Sequence, residues 1–114
     1  MNPIESISPI LSVADMQRSL HFYVDLMGFE NADWGDENFT GVTRDGCTIL
    51  LRKADDPTCG RIYISVENAR EMHEHLAPKG VTILMEPTNK PYALEVTIED
   101  PDGNILRIGS EPEE

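Results

Sequence analysis

Residues 7–28, ISPILSVADMQRSLHFYVDLMG, change from one periodicity to another within a single stretch. The first seven are mainly apolar and include Pro9, which suits the start or the edge of a β-strand. From Met16 onward the apolar residues recur at helical spacing, and Asp15 before them is a favourable helix N-cap. Gly28 is expected to end the helix, because glycine readily adopts the left-handed conformation found there. The stretch therefore predicts a strand followed by one helix.

Three short strands are predicted after this helix, near residues 29–35, 39–44 and 47–53. Asp45-Gly46 separates the second from the third and is a strong signal for a tight hairpin.

The second half of the chain repeats this order. The run RIYISV at residues 61–66 predicts a strand, and Asn68 caps a helix that ends by Gly80. Strands are predicted near 81–86, 92–99 and 104–109. The matching segments are Ser12-Val13 with Ser65-Val66, Gly28 with Gly80, and Asp45-Gly46 with Asp102-Gly103, at offsets of 53, 52 and 57 residues.

This internal repeat predicts an α+β fold of two βαβββ modules, residues 1–55 and 56–114, in a single domain 1–114. A module of about 55 residues is too small to cover both faces of its own sheet, so we expect the two modules to share a core. The charged C-terminal residues 111–114 are predicted to fray.

Composition restricts the possible functions. The chain has 114 residues, 39% of them hydrophobic, with 21 acidic and 9 basic side chains and a net charge of −12. This charge repels nucleic-acid phosphates and anionic membrane surfaces, and no run approaches the ~18 apolar residues of a membrane helix. Met1–Ser8 lacks the basic region of a signal peptide, and two cysteines without CxxC spacing are typical of reduced thiols. We therefore expect a cytoplasmic protein with neither a nucleic-acid nor a membrane partner.

Three segments resemble the vicinal oxygen chelate (VOC) superfamily of glyoxalase, bleomycin-resistance and extradiol dioxygenase proteins. They are VAD at 13–15 together with SLHFY at 19–23, LMGF at 26–29 and DPDGNILR at 100–107. The resemblance covers nearly the whole chain. It implies a glyoxalase/bleomycin-resistance fold, in which the mixed and antiparallel sheets of two modules curl around a cupped cleft. It also implies a homodimer as the common assembly.

The same resemblance bears on metal chemistry. Metal-dependent members hold a divalent ion through His, Gln or Glu, and the corresponding positions here are Ser8, Leu50, Arg61 and Arg107. None is a good ligand, and the two arginines would repel a cation. The resemblance therefore implies no metal, no other cofactor and no catalytic residue, and it is closest to the bleomycin-resistance-like members, which bind a drug without metal.

Strand alternation locates a candidate ligand face. In RIYISV, Ile62 and Ile64 share one side of the strand, whereas Arg61 and Tyr63 share the other. The apolar side is expected to pack on the helix and the polar side to face the cleft. The predicted ligand-binding residues are Trp34, Phe39, Arg61, Tyr63, Tyr92, Glu95, Thr97 and Arg107, with the tryptophan, Phe39 and Tyr92 at the rim. Alternatively, the two arginines only pair with Glu95 and Glu99 across strands.

Three functions follow. The first is metal-independent binding of a small molecule, such as an antibiotic, by a homodimer. The second is a metal-dependent glyoxalase-like lyase or isomerase, or a dioxygenase, with non-standard ligands such as Glu95 or Glu99. The third is a regulatory module that uses the fold for protein contacts alone.

Overall fold

The structure is a computed structural model that describes residues 1–114, and the chain divides into two compact units, Met1–Pro57 and Thr58–Glu114. Each unit contains one mixed four-stranded sheet and one helical segment, in the order strand, helix and three strands. This confirms the predicted α+β fold of two βαβββ modules. Neither helix is long or apolar enough to cross a bilayer.

Unit 1 has the strand order β1-β4-β3-β2, with β1 parallel to β4 and the other pairs antiparallel. Its elements are β1 (Ile10–Val13), α1 (Met16–Leu20), β2 (Glu30–Asn31), β3 (Phe39–Arg44) and β4 (Cys47–Lys53).

Unit 2 has the matching order β5-β8-β7-β6, with β5 parallel to β8. Its elements are β5 (Arg61–Ser65), α2 (Ala69–Leu76), β6 (Thr82–Asn89), β7 (Leu94–Glu99) and β8 (Ile105–Ser110); a short 3-10 turn, Ala77–Lys79, follows α2.

The predicted caps and turns explain where several elements begin and end. The Asp15 carboxylate accepts a hydrogen bond from the Arg18 amide at 3.3 Å, and this caps α1. Asp45 and Gly46 both adopt positive φ, 52° and 78°, as a tight hairpin turn requires. Strands β3 and β4 consequently have the predicted bounds.

The prediction of one regular helix up to Gly28 is wrong in its second half. After α1 the chain forms a π-helical segment, His21–Leu26, in which the Met27 amide donates to the Phe22 carbonyl five residues earlier. The wider turn rotates the buried side, so that Phe22 and Tyr23 are buried while Val24 is only half-buried.

Two strands also differ from their predicted lengths. Strand β2 has two residues because the chain turns directly after it, where the Gly35 amide donates to the Ala32 carbonyl at 3.3 Å. Strand β6 continues to Asn89 with two register shifts, and as an edge strand it tolerates Pro87.

The prediction that the C-terminal tail frays is wrong. The Glu113 carboxylate accepts two hydrogen bonds from Arg70, at 2.8 and 2.7 Å. Its backbone also exchanges two hydrogen bonds with the Asn89 side chain, at 2.8 and 2.9 Å. These four bonds fasten the tail to α2 and β6.

The apolar side of the unit 2 sheet forms its core. Helix α2 packs over β6, β7 and β8, where Val96, Leu106 and Ile108 are fully buried. Strand β5 lies at the far edge of the sheet. Ile62 and Ile64 point to the core side. They are only half-buried, because at this edge the helix covers them less completely than predicted.

Candidate functional site

The opposite side of the unit 2 sheet carries most of the predicted site residues. Tyr63 on β5 pairs with Arg107 on β8, which pairs in turn with Thr97 on β7. Residues paired in this way lie on one side of a sheet, and their neighbours Ile62 and Leu106 lie on the other. The predicted alternation of these strands is therefore confirmed.

Glu95 is the centre of this surface. Its side chain is 0% exposed, and its Oε1 accepts from Lys90 Nζ and from Arg107 Nη2, both at 2.9 Å. The second oxygen, Oε2, accepts from the same Arg107 nitrogen at 3.1 Å. One buried carboxylate thus holds two cations, and the alternative of cross-strand pairing is correct for Arg107.

The ionisation of Glu95 reflects this environment. Burial raises the pKa of Glu95, but hydrogen bonds from Arg107, Lys90 and Tyr63 outweigh it and lower that pKa to about 2. The same hydrogen bonds raise the pKa of Lys90 and of Arg107. Both cations and the carboxylate therefore stay charged at neutral pH.

Two exposed aromatic rings lie beside the two cations. The Arg107 guanidinium carbon lies 5.5 Å from the ring centroid of Tyr63, and Lys90 Nζ lies 5.9 Å from that of Tyr92. The Tyr63 residue is 48% exposed and the Tyr92 residue 65%. Burial and hydrogen bonding to Glu95 raise the pKa of Tyr63, so its hydroxyl remains protonated at neutral pH. That hydroxyl lies over Gly109, the strand partner of Glu95.

Sequence analysis missed two residues of this cluster. Lys90 reaches Glu95 because residues 90–93 form a tight turn, in which the Lys90 and Ala93 backbones hydrogen-bond to each other. Gly109 lies beneath Tyr63, and a Cβ atom there would overlap the tyrosine hydroxyl. The five-residue spacing of Lys90 and Glu95 across a hairpin could have indicated the ion pair; nothing in the sequence marks Gly109.

Arg61 is on the same side of β5 as Tyr63 but is separate from this cluster. It is exposed, and its strand partner is Ile105. It forms no ion pair, so the predicted alternative of pairing with Glu99 is wrong for this arginine, and its guanidinium is free for a solvent-borne group.

Two more predicted residues meet in unit 1. The rings of Trp34 and Phe39 lie 5.9 Å apart between centroids, tilted by 37°, and the Trp34 residue is 63% exposed. Gly41 leaves room for the indole of Trp34, since a Cβ at Gly41 would lie 3.1 Å from it. On the same side of this sheet, Arg52 donates to Ser12 at 3.2 Å.

The available side chains do not form a metal centre of the kind that VOC enzymes use. No group of three or more His, Cys, Asp or Glu side chains converges anywhere in residues 1–114. Glu95, an alternative metal ligand, already accepts from two cations, and Arg107 occupies an implied ligand position. These donors do not fit a divalent ion.

A family comparison agrees with the fold. The family model described as Glyoxalase/Bleomycin resistance protein/Dioxygenase superfamily matches residues 4–108 of this chain.

Solved structures give the same result. The bleomycin-binding protein from bleomycin-producing Streptomyces verticillus, complexed with copper(II)-bleomycin, is 27% identical; the match covers 99% of this chain and 100% of that one, with a TM-score of 0.80. TioX from Micromonospora sp. ML1 is 17% identical, covers 92% and 97%, and has a TM-score of 0.81. The second likeness concerns the fold alone.

A curated relative is similar over part of its length. It is a LexA repressor from Paramagnetospirillum magneticum, 27% identical over 95 residues. The match covers 78% of this chain, and the chain spans only 40% of that relative's length.

Proposed function

Because the chain belongs to the glyoxalase/bleomycin resistance protein/dioxygenase superfamily, we propose that it binds a small organic molecule without a metal ion and without turnover. The likeness to the bleomycin-binding protein over almost the whole of both chains supports a binding role. An antibiotic is one candidate ligand for the same reason.

The observation that carries the proposal is the way in which Glu95 is used. A carboxylate that served as a metal ligand or a general base would need a lone pair open to the incoming group, but both oxygens of Glu95 accept from the protein's own cations and the side chain is fully buried. Its pKa of about 2 also makes it a weak base. The cluster thus holds Tyr63 and Arg107 in place rather than supplying a reactive group.

The exposed rings supply the binding surface. Aromatic side chains combine a large contact area with few rotatable bonds, so they bind planar ligands at a low entropic cost. Tyr63, Tyr92 and Trp34 are among the exposed large hydrophobic residues. The proposal assigns ligand contacts in unit 2 to Tyr63 and Tyr92 together with Arg61, Thr97 and Arg107, and separately in unit 1 to Trp34 and Phe39.

A DNA-binding role similar to that of a repressor is less well supported. The net charge of −12 opposes the approach of a phosphate backbone, which binding proteins meet with clustered Lys and Arg. The proposed partners are therefore a small molecule and a second copy of this chain.

A thermal-shift screen tests the proposal. The purified protein is screened with EDTA present against antibiotics, glutathione adducts and metabolites, because a ligand of the folded state raises the melting temperature. We expect a compound that stabilises the wild type and fails to stabilise Tyr63→Ala. Leu84→Ala is the matched control, since Leu84 is also 48% exposed and lies outside the cluster.

Two results would contradict the proposal. One is stabilisation that disappears with EDTA and returns with a divalent metal. The other is chemical conversion of the bound compound, detected by mass spectrometry after incubation with the protein.

A further inference from the structure

We propose that the ligand of the unit 2 surface is an aromatic acid: a planar ring that stacks on Tyr63 and carries a carboxylate, sulfate or phosphate that binds Arg107. This inference rests on the proposed function and specifies its ligand class. It runs against the charge of the whole chain, because a net charge of −12 by itself favours a cationic ligand.

The only carboxylate in the cluster is closed to a ligand cation. Glu95 is fully buried, and its oxygens accept three hydrogen bonds from Lys90 and Arg107. A cationic ligand would have to displace a bonded side chain and expose the carboxylate. Such displacement costs binding energy, since a charge-assisted hydrogen bond is lost for each one formed.

The cations, by contrast, still have donors to offer. Both hydrogen bonds from Arg107 to Glu95 use Nη2, which leaves Nη1 and Nε uncommitted to that carboxylate, and the side chain is 42% exposed. The free guanidinium of Arg61 is on the same side of the sheet. Guanidinium donors match the geometry of carboxylate, sulfate and phosphate oxygens.

The local charge is positive despite the acidic chain. This side of the sheet and its β6–β7 turn carry Lys90, Arg61 and Arg107 against Glu95 and Glu99, for a net charge of one positive unit. Glu95 is shielded by the cations that cover it. The accessible part of the cluster therefore presents positive charge to solvent.

The ring of Tyr63 is held in one orientation. Its hydroxyl lies over Gly109, the strand partner of Glu95, and Arg107 lies beside its face. A ring held in this way can stack on a planar ligand without first losing rotational freedom. A ring and an anion on one ligand thus match a ring and a cation that are adjacent in the protein.

Three naphthalene probes of nearly equal shape test the inference: 2-naphthoate, 2-naphthamide and 2-naphthylmethylammonium. Backbone ¹H–¹⁵N NMR titration of the full chain follows each probe to about 10 mM, which detects binding in the millimolar range. We expect 2-naphthoate to shift resonances of β5, β7 and β8 and to bind at least ~10-fold more tightly than the amide. The ammonium compound should bind most weakly of the three.

Variants identify the groups responsible. Arg107→Gln should remove the preference for the acid over the amide, whereas Lys53→Gln, the same change of charge on an exposed residue of β4, should keep it. Arg107→Lys keeps a positive charge beside Glu95 and should retain part of the preference for the acid. It replaces Arg107→Gln in this test if that variant folds poorly. Tyr63→Ala should weaken the acid and the amide alike.

The inference and the proposed function fail in different ways. Tighter binding of the ammonium probe, shifts confined to unit 1, or no shift with 2-naphthoate would each overturn the aromatic-acid inference. None of these results decides the proposed function, which fails if stabilisation requires a divalent metal, if the bound compound is chemically converted, or if the wider screen yields no metal-independent ligand.

Discussion

Glu95 and Arg107 lie diagonally opposite each other on adjacent antiparallel strands, and one guanidinium nitrogen, Nη2, lies 2.9 Å from Oε1 and 3.1 Å from Oε2. The carboxylate is fully buried, whereas the guanidinium is partly open to solvent. Loss of the cations would therefore destabilise Glu95 more than loss of Glu95 would destabilise the cations, because water can solvate Arg107 but not Glu95.

Replacing Glu95 with Gln should therefore destabilise the fold. Glutamine has the same shape but loses the charge that Lys90 and Arg107 share, and hydrogen bonds to charged groups contribute about 1.5–3 kcal/mol. We expect a loss in that range in urea unfolding. Glu99→Gln is the control, since Glu99 lies on the same strand without an ion pair, and an equal loss there would contradict the assignment.

Stability should fall in acid for the same reason. The pKa of Glu95 is lowered from 4.5 to about 2 in the folded chain, so its contribution is complete above about pH 4.5 and is lost as the pH falls toward 2. Glu113, whose pKa Arg70 lowers, acts in the same direction. The difference in unfolding free energy between wild type and Glu95→Gln should therefore shrink between pH 6 and about pH 3. A difference that stays constant over that range would contradict the ion-pair interpretation.

Much of this arrangement was predictable from local patterns. Alternation in β5 and β8 identified the side that Tyr63 and Arg107 share, and Asp45-Gly46 identified the bounds of β3 and β4, because both signals depend only on neighbouring residues. The burial of Glu95 was not predictable in this way. It depends on Lys90 reaching back across a turn and on a tyrosine from a third strand.

The π-helical segment was missed for a similar reason. Its apolar residues fit an ordinary helix of 3.6 residues per turn about as well, and only packing around Phe22 and Tyr23 selects the wider turn. The fastened tail was missed because a short acidic segment resembles a disordered end. Arg70 and Asn89, distant in sequence, provide its partners.

Gly109→Ala should move Tyr63 without removing it. An added Cβ would overlap the hydroxyl and lie 2.7 Å from Cζ, and the ring is the part that can yield. Displaced from Glu95, Tyr63 should lose the hydrogen bond that helps raise its pKa, so that pKa should fall toward 10.0. Ultraviolet titration of tyrosine ionisation measures the change, with Gly41→Ala as the control, and an unaltered titration would show that the ring is not held as described.

Metal binding provides a separate test of the implied ligand positions. Ser8, Leu50, Arg61 and Arg107 offer a divalent ion no suitable donor set, so we expect elemental analysis of the purified protein to find no stoichiometric metal. Nickel, zinc or manganese should raise the melting temperature by no more than about 2 °C, because an ion without a site gives no linkage stabilisation. One tightly held ion per chain would overturn this prediction.

The N-terminal segment leads to a prediction about assembly. Residues 1–9 have no regular secondary structure, and large apolar side chains are exposed at every third position, Met1, Ile4, Ile7 and Ile10. They lead into β1, which is an edge strand. An exposed apolar row beside an open strand edge favours contact with another chain, and a closed twofold pair is the commonest solution.

We therefore expect a homodimer in solution. Sedimentation velocity or light scattering should give twice the chain mass of 12.8 kDa. Replacing Ile4 and Ile7 together by Ser should shift the equilibrium toward the monomer, because it removes apolar contact area without altering either sheet. Glu5→Gln, a polar change in the same segment, should leave the dimer intact. A wild-type monomer of 12.8 kDa at every concentration would contradict the prediction, whereas dimers unaffected by the Ile4 and Ile7 changes would exclude this segment as the interface.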